Sequence, residues 1–294
     1  MKVGIYGQFY HKDPEKYIQL ILEVLQKNGA EVRIEEGFLK IIEQHEGIST
    51  PLSSIATFQK LDKSYDFFFS IGGDGTLLKS VTFVRDLDIP IVGINTGTLG
   101  FLATIQKEKI TQSIENLMAG KYHISERSLL SIETSPTVKE LSDLNFALNE
   151  IAVNRKNTTS MIKVETLVND EYLTTYWSDG LIIATPTGST GYSLSCGGPV
   201  IDPATHSMAI TPIAPHNLNA RPIVLPDTCV ISLKVSGREE SYLVSLDSRI
   251  ATLTNDTKIT IKKAPFSIKL VYMEKSSFIN TLREKLLWGE DKRN

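Results

Sequence analysis

The sequence predicts an α/β, Rossmann-like N-terminal domain followed by a mostly antiparallel β domain, with a C-terminal helix returning to the first domain. Three observations carry this. Up to about residue 125, short apolar runs alternate with stretches of helical periodicity. Beyond it the segments become short, alternating and β-branched, with little helical signal. Residues 278–286 then return to helical spacing. The predicted domains are 1–125 plus 275–294, the α/β domain, and 126–274, a β-rich insertion, because a lone helix after a β domain needs a surface to pack on.

Val3–Tyr6 reads as the first strand. Asp13-Pro14 is a predicted N-cap and helix-opening proline, and Tyr17, Leu20, Ile21, Val24 and Leu25 recur at helical spacing until Asn28-Gly29 stops the helix. Val32 and Ile34 mark a strand. Phe38, Ile41, Ile42 and His45 suggest a helix, with His45 a half-buried helix residue. Phe67–Ile71 is a continuous apolar run ending in glycines, as for a buried parallel strand. Leu77, Leu78, Val81 and Val84 follow at helical spacing, then a strand at Ile89–Ile94 and a helix at Ile110–Met118 stopped by Gly120. In the β region, strands are predicted at Leu129–Thr134, Ala147–Asn154, Ile162–Val168, Leu181–Thr185, Val230–Val235, Tyr242–Leu246, Ile259–Lys263 and Ile268–Met273. Asn169-Asp170 and Ser236-Gly237 read as hairpin turns.

Composition narrows the function classes. Among 294 residues, 31 basic and 34 acidic give a net charge of −3 with no basic cluster, which argues against nucleic acid as a partner. The two cysteines, Cys196 and Cys229, lack metal-ligand spacing, so no resident metal site is expected and a reducing compartment fits. The N-terminus lacks a signal-peptide pattern, and no apolar run approaches the roughly 20 residues of a membrane helix. The expectation is a soluble, cytoplasmic protein with no membrane partner.

Four segments carry chemistry. Gly72-Gly73-Asp74-Gly75-Thr76 follows a predicted buried strand and opens a predicted helix, at the sheet edge where open α/β folds bind ligands. Glycines admit a phosphate to backbone N–H groups. A carboxylate beside a phosphate repels it unless chemistry or a metal is involved, so Asp74 reads as the group that accepts or orients a hydroxyl proton. The alternative is a tight turn with Asp74 as N-cap, but three glycines exceed what a cap requires. Neither a Walker A sequence nor a protein-kinase glycine loop is present, which excludes both of those kinase types.

The second segment, Asn95-Thr96-Gly97-Thr98-Leu99-Gly100-Phe101-Leu102, follows the next strand at the same edge and can face the first loop. The third, Asn149-Glu150, sits inside a predicted strand, where the two side chains point to opposite faces unless the strand is bulged. The fourth runs from Ser178-Asp179-Gly180 through Thr185-Pro186-Thr187-Gly188-Ser189-Thr190-Gly191-Tyr192 to Ser195-Cys196-Gly197-Gly198-Pro199. There a strand enters a hydroxyl- and glycine-rich loop, with donors and acceptors suited to ribose and base edges and a tyrosine able to stack on a base.

In order and spacing these segments resemble the NAD kinase family. The resemblance covers nearly the whole chain and includes Pro215-His216-Asn217-Leu218, Arg221-Pro222 and the terminal Phe278…Leu282-Arg283-Glu284-Lys285-Leu286. It implies ATP-dependent transfer of a phosphoryl group to the 2′-hydroxyl of the adenosine ribose of NAD, with Asp74 catalytic and Mg²⁺ or another divalent cation arriving with ATP. Gly72, Gly73 and Gly75 would face phosphates, with Thr76, Asn95 and Phe101 beside them. Asn149, Glu150, Asp179, Thr187, Thr190, Gly191, Tyr192, Ser195 and Asp247 would hold the dinucleotide. It also implies a homo-oligomer, a homotetramer by resemblance, in which neighbouring subunits complete sites.

The chain departs from the family pattern at Asp247-Ser248-Arg249, where Asp-Gly is expected. His216 is as well explained as a structural histidine, and Arg127 as an exposed surface arginine. The readings weighed against this one are a lipid or sugar kinase sharing only the glycine–aspartate loop, and a non-catalytic dinucleotide sensor. The polar fourth loop argues against a lipid tail, and the presence of Asp74 against a sensor.

Overall fold

The computed structural model describes residues 1–8, 15–44, 52–98, 100–157, 160–273 and 277–287. Asp13-Pro14, His45 and Leu99 lie outside them. The chain divides into two compact units, Met1–Glu126 with Ile268–Asn294, and Arg127–Ser267.

In the first unit, five parallel strands lie in the order Ile91–Asn95, Phe67–Ile71, Lys2–Gly7, Glu31–Glu35, Ala56–Phe58. Phe67–Ile71 and Ile91–Asn95 are buried along their full length, so they read as unbroken apolar runs. Chain order reverses between Phe67–Ile71 and Lys2–Gly7, which puts the topological switch point next to the glycine–aspartate loop. The helix Glu15–Lys27 buries Ile18, Ile21, Leu22, Val24 and Leu25, and the chain leaves it at Gly29 with φ +69°. The helix Asp74–Val84 seats Leu77, Val81 and Val84. Leu270, near the end of the strand Lys258–Met273, pairs in parallel with Ile91. The terminal helix Phe278–Leu286 starts at Ser277, whose hydroxyl accepts from the Asn280 N–H at 3.2 Å. Among the described residues no helix is long and apolar enough to cross a membrane.

The second unit is antiparallel. One sheet runs in the order Ile223–Pro226, Ser207–Ile213, Gly180–Ala184, Glu150–Arg155, Ser241–Leu246, Arg249–Thr254. In the other, Glu171–Ser178, Ile162–Val168, Ile231–Gly237 and the first part of Lys258–Met273 pair in turn. Alternate residues of both sheets, among them Val164, Leu233 and Ile259 from one and Ile151, Leu181, Ile183 and Val244 from the other, fill a common core.

Four expectations change. Ala147–Asn154 is not one strand: the chain breaks between Phe146–Ala147 and Glu150–Arg155, because the N–H groups of Leu148 and Asn149 turn to a carboxylate instead of a neighbouring strand. Ile259–Lys263 and Ile268–Met273 belong to one strand, Lys258–Met273, which passes through Pro265 without ending. Ser236-Gly237 is strand, with Gly237 opposite Ile162, and the turn falls at residues 238–240. The loop expected after the strand of the fourth segment is wound into two helical turns, Thr187–Thr190 and Tyr192–Ser195. Asn169 and Asp170 do form a turn, at φ 51° and 65°, as expected for a two-residue hairpin connection.

Ile183 is fully buried in the second unit's core. Replacing it by alanine is expected to cost about 2–5 kcal/mol, measured by chemical denaturation followed through the far-ultraviolet signal. A variant as stable as the parent would contradict the packing described.

Candidate functional site

Two clusters of the motif residues form, one in each unit. In the first, Asp74 opens its helix and Gly73, in extended backbone, is the N-cap, so the capping role considered for Asp74 falls to its neighbour. The Asp74 carboxylate instead accepts three consecutive backbone N–H groups of the second segment: Phe101 to Oδ2 at 2.7 Å, and Leu102 and Ala103 to Oδ1 at 3.1 and 3.0 Å. The two glycine-rich segments are thereby clasped. The approach is so close that a Cβ added to Gly100 would sit 1.9 Å from Asp74 Oδ1. Asp74 as a whole stays half-buried.

The glycines separate into two kinds. A Cβ on Gly73 or Gly75 would meet nothing within 4 Å, so the backbone at the helix start borders open space. N–H groups of a first helical turn have no intrahelical partner and favour an anion. Gly72 differs: its N–H donates to the Ile94 carbonyl at 2.9 Å, so sheet pairing claims the donor expected to face a phosphate. Thr76 is buried, with its N–H on the Gly73 carbonyl and its hydroxyl 3.4 Å from Gln8 Oε1. Asn95 is buried too. Its Oδ1 accepts from Gly97 and its Nδ2 donates to the Thr98 carbonyl, both at 2.8 Å, so the side chain shapes the second segment from within.

The second unit repeats the device. Asp247 accepts the N–H of Leu148 on Oδ2 at 3.0 Å, and those of Asn149 and Glu150 on Oδ1 at 2.8 and 3.2 Å. Its own N–H returns to the Glu150 carbonyl at 3.0 Å. Asp247 is the left-handed residue of its turn, at φ 52°, while Ser248 has ordinary backbone. The glycine expected after the aspartate is therefore not needed here. Burial raises the Asp247 carboxyl, opposed by the three N–H donors and by Arg249 at 4.0 Å. Arg249 donates to the carbonyls of Leu144, at 2.6 Å, and Phe146, which ties the preceding segment to the same turn.

The strand break that Asp247 enforces brings Asn149 and Glu150 to one place instead of opposite faces. A Cβ on Gly191 would lie 3.1 Å from Glu150 Oε2 and 3.4 Å from Asn149 Nδ2. Gly188 lies tighter still, where a Cβ would be 2.0 Å from the Asn149 carbonyl oxygen. Burial first, then the nearby Asp247 carboxylate, push the Glu150 carboxyl up to about 8, against the Tyr192 N–H that it accepts.

The other motif residues divide by exposure. Thr187 is buried, and its hydroxyl accepts from Arg127 Nη1 at 3.4 Å. Arg127, only 5% exposed, is thus a buried residue and not the surface arginine expected. Thr190 is half-buried, its hydroxyl donating to the Thr187 carbonyl at 3.2 Å. Tyr192 is 40% exposed and Ser195 is exposed, so both present side chains outward. Burial raises the Tyr192 phenol, helped by Cys196, Glu150 and Asp179. Asp179 pairs with Arg155 at 2.9 Å. Arg155 also lines a cavity of about 690 Å³ with Lys163, Trp177, His216 and Arg238, which places His216 at an exposed rim.

Residues 3–122 match the ATP-NAD kinase N-terminal domain, and residues 148–273 the ATP-NAD kinase C-terminal domain. The chain belongs to the ATP-NAD kinase family. An NAD kinase of Christiangramia forsetii is 61% identical over 294 residues, and one of Flavobacterium psychrophilum 53%, each covering 100% of both chains. Among solved structures, a yeast NADH kinase complexed with NADH superposes with a TM-score of 0.84 at 20% identity, over 99% of this chain and 89% of that one. An NAD kinase from Archaeoglobus fulgidus in complex with ATP superposes at 0.75 with 26% identity, over 98% and 99%. The fold is that of an NAD kinase, and the enzyme is an ATP-dependent phosphotransferase acting on NAD.

Within this NAD kinase scaffold, the second segment was read as facing the first loop, but the roles of Gly100, of the N–H groups of Leu102 and Ala103, and of Arg249 were not read from sequence. Gly100 carried a signal, because it stands in a glycine-rich run. The backbone donors carry none, since any residue has an N–H. Gly100→Ala is expected to lower kcat at least tenfold and to lower the melting temperature by several degrees, because the methyl must displace the Asp74 carboxylate from the backbone donors it holds. Steady-state assay beside a thermal melt tests this; undiminished kcat would show that the clasp is not needed.

Proposed function

We propose that this enzyme transfers the γ-phosphoryl of ATP to the 2′-hydroxyl of the adenosine ribose of NAD, with Asp74 accepting the hydroxyl proton. The observation that supports this most is the clasp on Asp74. Three backbone donors fix the carboxylate beside a helix start bordered by open space. The hydroxyl oxygen forms its bond to the γ-phosphorus as the bond to the bridging oxygen of ADP breaks, and the proton passes to Asp74. Phosphoryl transfer asks of such a group mainly orientation, because its loose transition state depends on positioning and charge stabilisation. The free N–H groups at Gly73–Gly75 would receive phosphate oxygens.

The divalent cation, Mg²⁺ or a similar ion, enters with the triphosphate as part of the substrate and neutralises charge on the transferring group. In the second unit, Asn149 and Glu150 would hold ribose hydroxyls, Tyr192 would lie against a base, and Asp179, Thr190, Gly191 and Ser195 would complete the dinucleotide's surroundings. Asn95, Thr76, Thr187 and Asp247, whose side chains are engaged within the protein, would act by positioning the others. We also read the enzyme as cytoplasmic and as a homo-oligomer, a tetramer by resemblance. Tyr172 at 60%, Leu218 at 90% and Trp177 at 44% exposure offer apolar surface for such contacts.

Asp74→Asn removes the proton acceptor while keeping the shape. The expected result is NADP formation reduced by at least 10²-fold, with NAD affinity within about threefold of the parent and the fold intact. A coupled assay for NADP from NAD, ATP and Mg²⁺ measures it. Near-parental turnover would sink the assigned role. ATP consumption on lipids or sugars, without NADP, would move the protein to another kinase class.

A further inference from the structure

Two buried polar atoms of the second unit make no hydrogen bond among the described residues and lie together: Asn149 Oδ1 and Glu150 Oε2. Both side chains crowd the space over Gly191. A buried polar atom without a partner costs about 1–3 kcal/mol, so this pair is built to be completed by something that binds. Its chemistry depends on where a proton resides.

The titratable and charged groups around Glu150 come from three elements. Asp247 stands on the turn between Ser241–Leu246 and Arg249–Thr254, with Arg249 beside it. Tyr192 and Cys196 stand on and just after the short helix over the site, and Asp179 acts beyond Tyr192. Arg249 is directed to Asp247 and to the carbonyls of Leu144 and Phe146. Asp247 takes three N–H donors and Glu150 only that of Tyr192. Burial raises both carboxyls, but of two close together the one that takes three N–H donors and stands beside an arginine keeps the charge and the other keeps the proton.

We propose that Glu150 meets the dinucleotide as a neutral acid, donating a hydrogen bond to a ligand hydroxyl while Asn149 Oδ1 accepts one from it or from its neighbour. This makes Glu150 a residue that selects the ligand, acting in binding and not in phosphoryl transfer, and it rests on the reading given under Proposed function. A vicinal ribose diol, in which each oxygen is both donor and acceptor, satisfies both orphaned atoms at once. A neutral Glu150 also spares the anionic pyrophosphate a second carboxylate beside Asp247. The sign of the pH effect follows. Below about 8 Glu150 holds its proton and the pair is complementary to the diol. As pH rises through that value, the ionised form loses the donated bond and repels the ligand.

The dissociation constant of NAD, measured without ATP by titration calorimetry from about pH 6.5 to 9.5, tests this in the parent and in Glu150→Gln, each checked by thermal melt. The parent's constant is expected to be flat to about pH 8 and then to rise about tenfold per pH unit. The Gln variant, permanently neutral and of the same shape, is expected to bind within about threefold of the parent at pH 7 and to show no such rise. A flat parent profile overturns the proposal. So does a Gln variant that melts normally but binds about 10²-fold more weakly at pH 7, since Glu150 would then act as an ionised acceptor. If the variant fails to fold, the parent profile alone decides. Loss of NADP formation by the parent would sink the functional reading, whereas a flat profile with turnover intact sinks only this inference.

Discussion

A carboxylate that accepts three consecutive backbone N–H groups is the interaction that recurs in each of this enzyme's two units. It occurs at Asp74 with residues 101–103 and at Asp247 with residues 148–150. Each aspartate binds to a stretch of chain that would otherwise be an irregular loop with unsatisfied donors. Hydrogen bonds to a charged acceptor contribute about 1.5–3 kcal/mol each, which adds to the burial of Leu102, Ala103 and Leu148 in holding these stretches. Backbone donors have no rotamer freedom, so the geometry is fixed more tightly than a side-chain pair would fix it.

The two clamps differ in what they leave over. Asp74 is half-buried, so its carboxylate clamps the second segment without being fully enclosed, and in the proposed reading it is also the chemical group. Asp247 is used up by the backbone it holds. Its product is the placement of its neighbours, Asn149 and Glu150, whose side-chain atoms remain unpaired and buried. The surrounding glycines follow from this closeness. Gly100 admits the Asp74 carboxylate and Gly188 admits the Asn149 carbonyl, at distances where a Cβ has no room.

Much of the first unit was legible in the sequence because its signals are local. The apolar run Phe67–Ile71, the glycines after it and the periodicity of Leu77, Val81 and Val84 define a buried strand, a loop and a helix without reference to the rest of the chain. The second unit was less so. Ser207–Ile213 and Ile223–Pro226 both contain proline and were missed as strands, while Pro265 made one strand look like two. The break at Leu148-Asn149 was not legible at all, since it is imposed by Asp247, 97 to 99 residues further along. The same holds for Arg127, whose burial beside Thr187 rests on a contact 60 residues away. Motif residues were recognisable as a set, but which of them face a ligand and which hold the others in place is a property of tertiary contacts.

The claim that a buried carboxylate clamp, and not direct contact, lets Asp247 govern dinucleotide binding is tested most directly by Asp247→Asn. The amide keeps the size but sets an NH₂ group against the backbone donors of residues 148–150. Measured by NAD titration and by steady-state kinetics at pH 7, the dissociation constant of NAD should rise at least tenfold, about 1.4 kcal/mol. The rate at saturating NAD should stay within a few-fold of the parent. Unchanged NAD affinity in a folded variant, or a collapse of kcat with KM unaltered, would contradict the account.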